Sequence, residues 1–330
     1  MSRLHICNTF FEAELESGLL RPLRDWLRVS PVVLQLQFLP LVYGSSDDRI
    51  LVSDLPDTPD ERLCTLEKAE GPIEDWGPSL AIQAWAKTKG IEYRIPDWEI
   101  VKKINSKIFS FEESPKLPGS ALLKDVKEAM RWIEKIEGPK VLKTAFGTAG
   151  RGHFHVGKDK RLDEFLKKQT VPVIGEPWVE RVFDFSTQWK GGNLLGVTVF
   201  ENEWNGTYKC TLAGPWKPWR KGSFDWALEE HLAIAKPLVE KIKKLGFAGN
   251  LGIDAYVYRW QGKERLQPVV EINGRKTMSW AALQVQQTRF PEKTIRFCYG
   301  KSEKGLLPME LKLVGRVVRF PRQISLVVLD

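Results

Sequence analysis

Cysteine is scarce and poorly spaced for cross-linking or for zinc. The 330 residues hold four, Cys7, Cys64, Cys210 and Cys298, with no C-x-x-C pair. That spacing excludes a zinc ribbon and a disulfide framework, and reduced thiols in a cytoplasmic protein are expected. Long apolar runs are missing as well. The segment from Val29 to Tyr43 is broken by Pro31 and Pro40 and carries Gln35 and Gln37, which leaves it too short and too interrupted to span a bilayer. Where a signal peptide would place its apolar region, "MSRLHICNTFFEAELESG" has Glu12, Glu14 and Glu16. No membrane partner is expected. There is no repeat with a period of about 20–50 residues and no low-complexity tract, which excludes solenoids and arrays. The first hundred residues lack G-x-G-x-x-G, and no GK[ST] follows the glycines of "GTAGRG", so neither the dinucleotide fingerprint nor a Walker A loop is present there. Nor is there a basic tail. Net charge is +8, but the basic residues are scattered, which fits a solvated surface better than a nucleic-acid face.

What remains is a globular balance. Hydrophobic residues make up 42% and charged residues 28% of the chain, and the length suits two or three structural units. In the first hundred residues, "VVLQLQFLPLVYG" and "RILVSDLP" read as buried strands. "PSLAIQAWAKTKG" reads as a helix ending at Gly90, and "IEYRIPDWEIVKKIN" as strand, turn and short helix. From residue 117 to 138, Leu122, Val126, Met130 and Ile133 recur at helical spacing up to Gly138-Pro139. "KVLKTAF" and "HFHVG" form a hairpin around "GTAGRG", followed by the helix "RLDEFLKKQ" and the extended "VPVIGEPWVERV". A third unit begins near residue 190. It has the antiparallel strands "NLLGVTVFENEW" and "GTYKCTLAGPW", the helix "ALEEHLAIAKPLVEKIKKLG", and a closing hairpin "NLGIDAYVYRW"/"ERLQPVVEINGR". Of the thirteen tryptophans, most are expected in core contacts, with a few free to wall a substrate site.

The closing hairpin carries the chemistry. Glu271, Asn273 and Arg275 alternate onto one strand face, and a turn centred between Gly262 and Lys263 sets Asp254 across from Glu271. Two carboxylates about 5 Å apart repel unless a cation or a proton lies between them. Asp254, Glu271 and Asn273 supply oxygens of the kind that Mg²⁺ takes. Taken alone, the acids fit equally well a surface hairpin paired with lysines such as Lys263. Lys143 follows Val141 and Leu142 inside a strand, an expensive place for an ammonium with no anionic partner. Just beyond it, Gly147, Gly150 and Gly152 can present bare amides to phosphate oxygens. His153 and His155 read as ordinary strand residues, and His231 with Glu229 and Glu230 as a solvated helix face. "LAGPWKPWRKGSFDW" is a basic loop, with Lys217, Arg220 and Lys221 among Trp216 and Trp219.

In this order, over residues 100–285, these features resemble the ATP-grasp superfamily. The resemblance implies an α/β fold of three parts: an N-terminal pre-ATP-grasp domain (1–105), a small lid subdomain (106–189), and a larger antiparallel metal-binding subdomain with a C-terminal tail (190–330). The last two would sandwich ATP. By the same resemblance Lys107 and Lys143 contact phosphates, with Lys209 a further contact, and Gly147, Thr148, Gly150, Arg151 and Gly152 form the lid loop. Glu176 and the backbone of Trp178 and Val179 read adenine. The stretch around Arg181–Asp184 is one residue longer than in D-alanine–D-alanine ligase, which leaves Asp184 and Glu180 both open as the ribose acid, Asp184 favoured. Asp254, Glu271 and Asn273 hold one or two Mg²⁺ ions, and Arg275, with Lys143, serves the transferred phosphoryl. Gly274 departs from the family's E-[IV]-N-P-R form, which has proline there. The implied activity is an ATP-dependent ligase that joins a small-molecule or peptide-like carboxylate to an amine through an acyl phosphate. A kinase acting on a hydroxyl and a catalytically silent nucleotide-binding scaffold are the alternatives.

Overall fold

Ser30 and Pro31 overturn the first strand expected from the sequence. The Ser30 hydroxyl accepts a hydrogen bond from the Val33 amide, and Pro31 occupies the first helical position, where its missing N–H costs nothing. The run from Val32 to Tyr43 therefore forms two short helices, Pro31–Leu36 and Pro40–Tyr43. An apolar run buried on most sides has no period to separate helix from strand. The structure, a computed structural model, describes residues 2–147, 152–159, 161–168, 172–203, 206–215 and 223–329. The chain divides into two units, Met1–Trp98 with Lys209–Trp216 and Arg275–Asp330, and Glu99–Tyr208 with Lys217–Gly274. The expected third segment, 190–330, is thus shared between them.

The first unit contains a parallel sheet in the order Leu63–Cys64, Arg49–Leu51, Leu4–Ile6, Ile73–Asp75. Leu4 and Ile6 belong to a core with Phe10, Trp26 and Leu27. The helix Leu80–Lys89 forms as expected. Ser79 caps its start, and Gly90, at φ 68°, ends it in the left-handed region. No strand forms at residues 91–95; that stretch is tied down instead by the Tyr93 hydroxyl, which donates to Asp75. The same unit holds the helix Met278–Arg289 and the antiparallel strands Tyr208–Ala213, Thr294–Lys301 and Arg322–Leu329. All four cysteines are free thiols, as expected.

The second unit has two antiparallel sheets. One runs Ala121–Leu123, Val173–Pro177, Lys140–Lys143, His153–Val156, with a core of Trp132, Leu142, Phe154 and Leu166. The helix expected from 117 to 138 begins only at Val126, and Leu122 lies on a strand. Asp125 accepts from the Glu128 amide at 2.8 Å while Glu128 accepts from the Lys124 amide at 2.8 Å. These two bonds, one at the N-cap and one to the amide just before it, fix the helix start. The other sheet runs Lys263–Asn273, Asn250–Trp260, Glu180–Lys190, Asn193–Asn202, and the helix Ser223–Lys244 packs on its first two strands. His231 on that helix is fully buried, not solvated. Its ring is neutral and partnered at both nitrogens, which makes burial affordable. Among the described residues no helix is long and apolar enough to cross a membrane.

Candidate functional site

Asp254 does stand opposite Glu271, though not for the reason the turn suggested. The hairpin turns at Gln261–Gly262, both at positive φ (50° and 74°), with Trp260 opposite Lys263. That is the backbone of a two-residue hairpin loop, one residue earlier than expected. An irregularity between Asp254 and Tyr256 then places Tyr256 opposite Gln267, so three residues on one strand face one on the other. It restores the pairing of the two acids and accommodates Pro268, which has no amide for the ladder.

Of the three expected metal ligands, Asp254 and Asn273 touch, and Glu271 stands across the hairpin from Asp254. Asn273 is buried and its Nδ2 donates to Asp254 Oδ2 at 3.2 Å, while Ser186 Oγ donates to Asp254 Oδ1 at 2.6 Å. Glu271 Oε1 accepts from Lys107 Nζ at 2.6 Å. Among the described residues no cluster of three or more His, Cys, Asp and Glu side chains is placed to hold a metal. A cation here would be held by two carboxylates and one amide oxygen. The strand ends at Asn273, so the alternation that would have aligned Arg275 with Glu271 stops short of it.

Lys107 opens the short helix Lys107–Glu112, capped by Ser106. Its side chain is 6% exposed, and Nζ also donates to the Gly147 carbonyl at 2.6 Å. One ammonium thereby ties the glycine loop's first residue to a carboxylate of the hairpin. Lys143 is equally buried and forms an ion pair with Glu176 on the neighbouring strand. The buried lysine thus has the anionic partner that its position demanded. Gly152 is at φ 82°, and a Cβ there would lie 2.3 Å from Thr144 Oγ1; only glycine fits. Thr148, Gly150 and Arg151 lie outside the described residues, as does the basic loop with Lys217, Arg220 and Lys221.

The hinge carries one residue more than a regular ladder. Phe183 faces Val257 and Arg181 faces Tyr258, which leaves Val182 as the extra residue of a bulge. The two acids there differ sharply. Glu180 is exposed and pairs with Arg259 at 2.7 Å. Asp184 is 15% exposed, stands opposite Tyr256, and pairs with Arg181 at 2.6 Å. The Arg181 guanidinium lies 4.2 Å from the Tyr256 ring centroid and 5.6 Å from that of Trp178, stacked and charge-paired at once. Sequence reasoning passed over Arg181, because nothing in its spacing distinguishes it from a surface residue of "VERVF". Trp178 and Val179 are half-buried, and the Trp178 amide already donates to the Pro139 carbonyl at 2.8 Å.

Gly274 has a reason to replace proline. Its amide donates to Asn105 Oδ1 at 2.7 Å, and a Cβ would lie 2.7 Å from both Asn105 Nδ2 and Ile104 Cδ1. A proline would lose the bond and collide. Arg275 and Lys209 belong to the other unit. Lys209 is exposed on the strand Tyr208–Ala213. Arg275 is buried, and its Nε donates to Glu12 Oε1 at 2.5 Å, a partner that the sequence did not single out.

No protein-family model and no curated protein matches the sequence. Solved structures do match it. Phosphoribosylamine–glycine ligase from Thermotoga maritima is 13% identical with a TM-score of 0.55, over 99% of this chain and 92% of that one. N5-carboxyaminoimidazole ribonucleotide synthetase from Thermus thermophilus is 15% identical with a TM-score of 0.54, over 100% and 93%. N5-carboxyaminoimidazole synthetase from Staphylococcus aureus, complexed with ADP, is 14% identical with a TM-score of 0.51, over 90% and 82%. At such identities the likeness establishes architecture. This chain has the ATP-grasp fold, as the sequence pattern implied.

Proposed function

We propose that this chain is an ATP-dependent ligase that joins a carboxylate to an amine. One observation carries the reading: Lys107 Nζ binds the Gly147 carbonyl and Glu271 together, both at 2.6 Å. A glycine loop suited to phosphate and a carboxylate pair suited to a hard cation therefore meet at one buried charge. The structural neighbours named above are a ligase and two synthetases, one of them holding ADP, which supports the same reading.

In this reading Lys107 and Lys143 exchange their carboxylate partners for phosphate oxygens. Base recognition falls to Glu176 and to the Val179 amide, since the Trp178 amide is already engaged. Asp184 is the acid we assign to ribose, a choice that its low exposure supports over the exposed Glu180. Asp254, Glu271 and Asn273 would hold magnesium, and their all-oxygen donor set fits that ion. Bound there, it would neutralise polyphosphate charge. The substrate carboxylate oxygen attacks the γ-phosphorus, the bond to the ADP oxygen breaks, and an acyl phosphate forms. An amine then attacks the acyl carbon, phosphate leaves, and the amine gives up a proton. Arg275 is assigned to the charge that develops in these steps.

Hydroxylamine tests the chemistry. Incubated with Mg·ATP and a panel of carboxylic acids, the protein should yield a hydroxamate in step with ADP. ADP matched by a phosphorylated alcohol would instead identify a kinase. Nucleotide binding without turnover on any acid would identify a silent scaffold. Lys143→Ala should raise the dissociation constant for ATP by roughly 10- to 150-fold, the loss of a charged hydrogen bond worth about 1.5–3 kcal/mol. An unchanged constant in calorimetry would remove Lys143 from the site.

A further inference from the structure

We propose that His153 is a further nucleotide-contacting residue, one that meets the polyphosphate with its imidazole and takes up a proton as the nucleotide binds. The inference rests on the ATP reading above and adds a residue that neither the sequence pattern nor the fold assigned to the site.

The placement comes first. His153 opens the strand His153–Val156 directly after Gly152, at the exit of the glycine loop. It stands opposite Lys143, which puts the two side chains on one face of the sheet with Cβ atoms about 5 Å apart. Among the described residues its buried Nδ1 has no hydrogen-bond partner. A histidine kept only for packing is normally satisfied. His231 shows what that looks like in this same unit, with Thr187 at Nε2 (2.8 Å) and the Pro268 carbonyl at Nδ1 (2.7 Å).

The surroundings identify what the open nitrogen lacks. Burial, then Lys143, Lys107 and Arg181, then His155 on its own strand, push the His153 imidazole down to about 2. The ring is therefore neutral at rest. Each of the three cations has one acid of its own: Glu176 on Lys143, Glu271 on Lys107 and Asp184 on Arg181. Among the described residues no carboxylate is bonded to His153 Nδ1. A ligand that suits this environment is anionic, accepts hydrogen bonds and reaches both lysines, which describes a polyphosphate. Its negative charge would reverse the sign of the field at the ring. The protonation that the cations suppress would become favourable, with the proton drawn from solvent.

The test uses the full chain and Mg·ADP, which binds without turnover. Calorimetry in buffers of different ionisation enthalpy counts the protons exchanged. Near pH 6 the wild type should take up several tenths of a proton more per nucleotide than His153→Gln. The difference between the two cancels the titration of the nucleotide itself. The affinity ratio of wild type to variant should widen by up to about tenfold between pH 8 and pH 6. The wild-type imidazole should also show the shift of a protonated ring in NMR when Mg·ADP is added, a readout that survives even if the variant fails to fold. Nucleotide binding with equal proton counts in both proteins, or with an unmoved ring, overturns this inference alone. No binding of Mg·ADP or Mg·ATP by the wild type overturns the ATP reading and this inference together.

Discussion

Glu271→Gln is expected to lower turnover by at least about a hundredfold, in the range seen when a metal site or a charge-stabilising donor loses one member. The melting temperature should move little. The substitution keeps the size of the side chain and an oxygen, and removes one charge. Across the hairpin the residue still stands opposite Asp254, but one carboxylate is now left where a hard cation wants two. The fold has small stake in the charge itself, because Glu271 is about a quarter exposed and its partner Lys107 keeps the Gly147 carbonyl. The electrostatic consequence separates two roles for this acid. If Glu271 serves the cation, affinity for ATP with magnesium falls, while affinity without magnesium holds or improves, since Lys107 has lost a competing anion. If Glu271 only anchors Lys107, both affinities change alike. Calorimetry with and without magnesium, beside ADP release, decides the matter. A variant with the wild-type magnesium dependence would remove Glu271 from the metal site.

How far the sequence exposed this site depends on which force places each group. The need of Lys143 for an anionic partner was legible, because a buried ammonium is costly in any other setting. The opposition of Asp254 and Glu271 was legible through two offsetting features, a turn one residue early and the irregularity beside Pro268. A ladder without that irregularity would have put the acids out of register. What could not be read was anything set by contacts distant in sequence. Arg181 owes its stacked, charge-paired position to Tyr256 and to the extra residue at Val182, and no local pattern encodes either. The amide of Gly274 is claimed by Asn105, 169 residues away in the chain, which turns an apparent loss of the family's proline into a requirement for glycine. The helices at Pro31–Leu36 and Val126–Lys135 were mistaken in part because apolar spacing outweighed the capping signals of Ser30 and Asp125.

His231 was the plainest misreading, and it supports a prediction about stability. On the helix Ser223–Lys244 its ring completes a chain of neutral hydrogen bonds. Trp189 Nε1 donates to Thr187 Oγ1 at 2.9 Å, the Thr187 hydroxyl donates to His231 Nε2, and His231 Nδ1 donates to the carbonyl of Pro268, three residues before Glu271. Protonating Nε2 would set two donors against each other inside the core. Burial, the dominant cause, accordingly pulls His231 down to about 4, although the Pro268 carbonyl acts to raise it. The unfolded chain takes up this proton near pH 6.5 and the folded protein only near pH 4. Between those values the unfolded state binds more protons, so stability rises with pH and is lost as pH falls through the window. The interval corresponds to about 3 kcal/mol, a large share of a typical folding free energy. Burial also lowers the chain's other three histidines, His5, His153 and His155, so the total slope does not belong to His231 alone. A comparison isolates it. His231→Gln offers an amide donor for Pro268 and an acceptor for Thr187 but cannot titrate. Urea unfolding at pH 7.5 and pH 4.5 should show the wild type losing about 2–3 kcal/mol more than the variant. Parallel losses would mean that the buried ring takes up its proton at no cost to the fold.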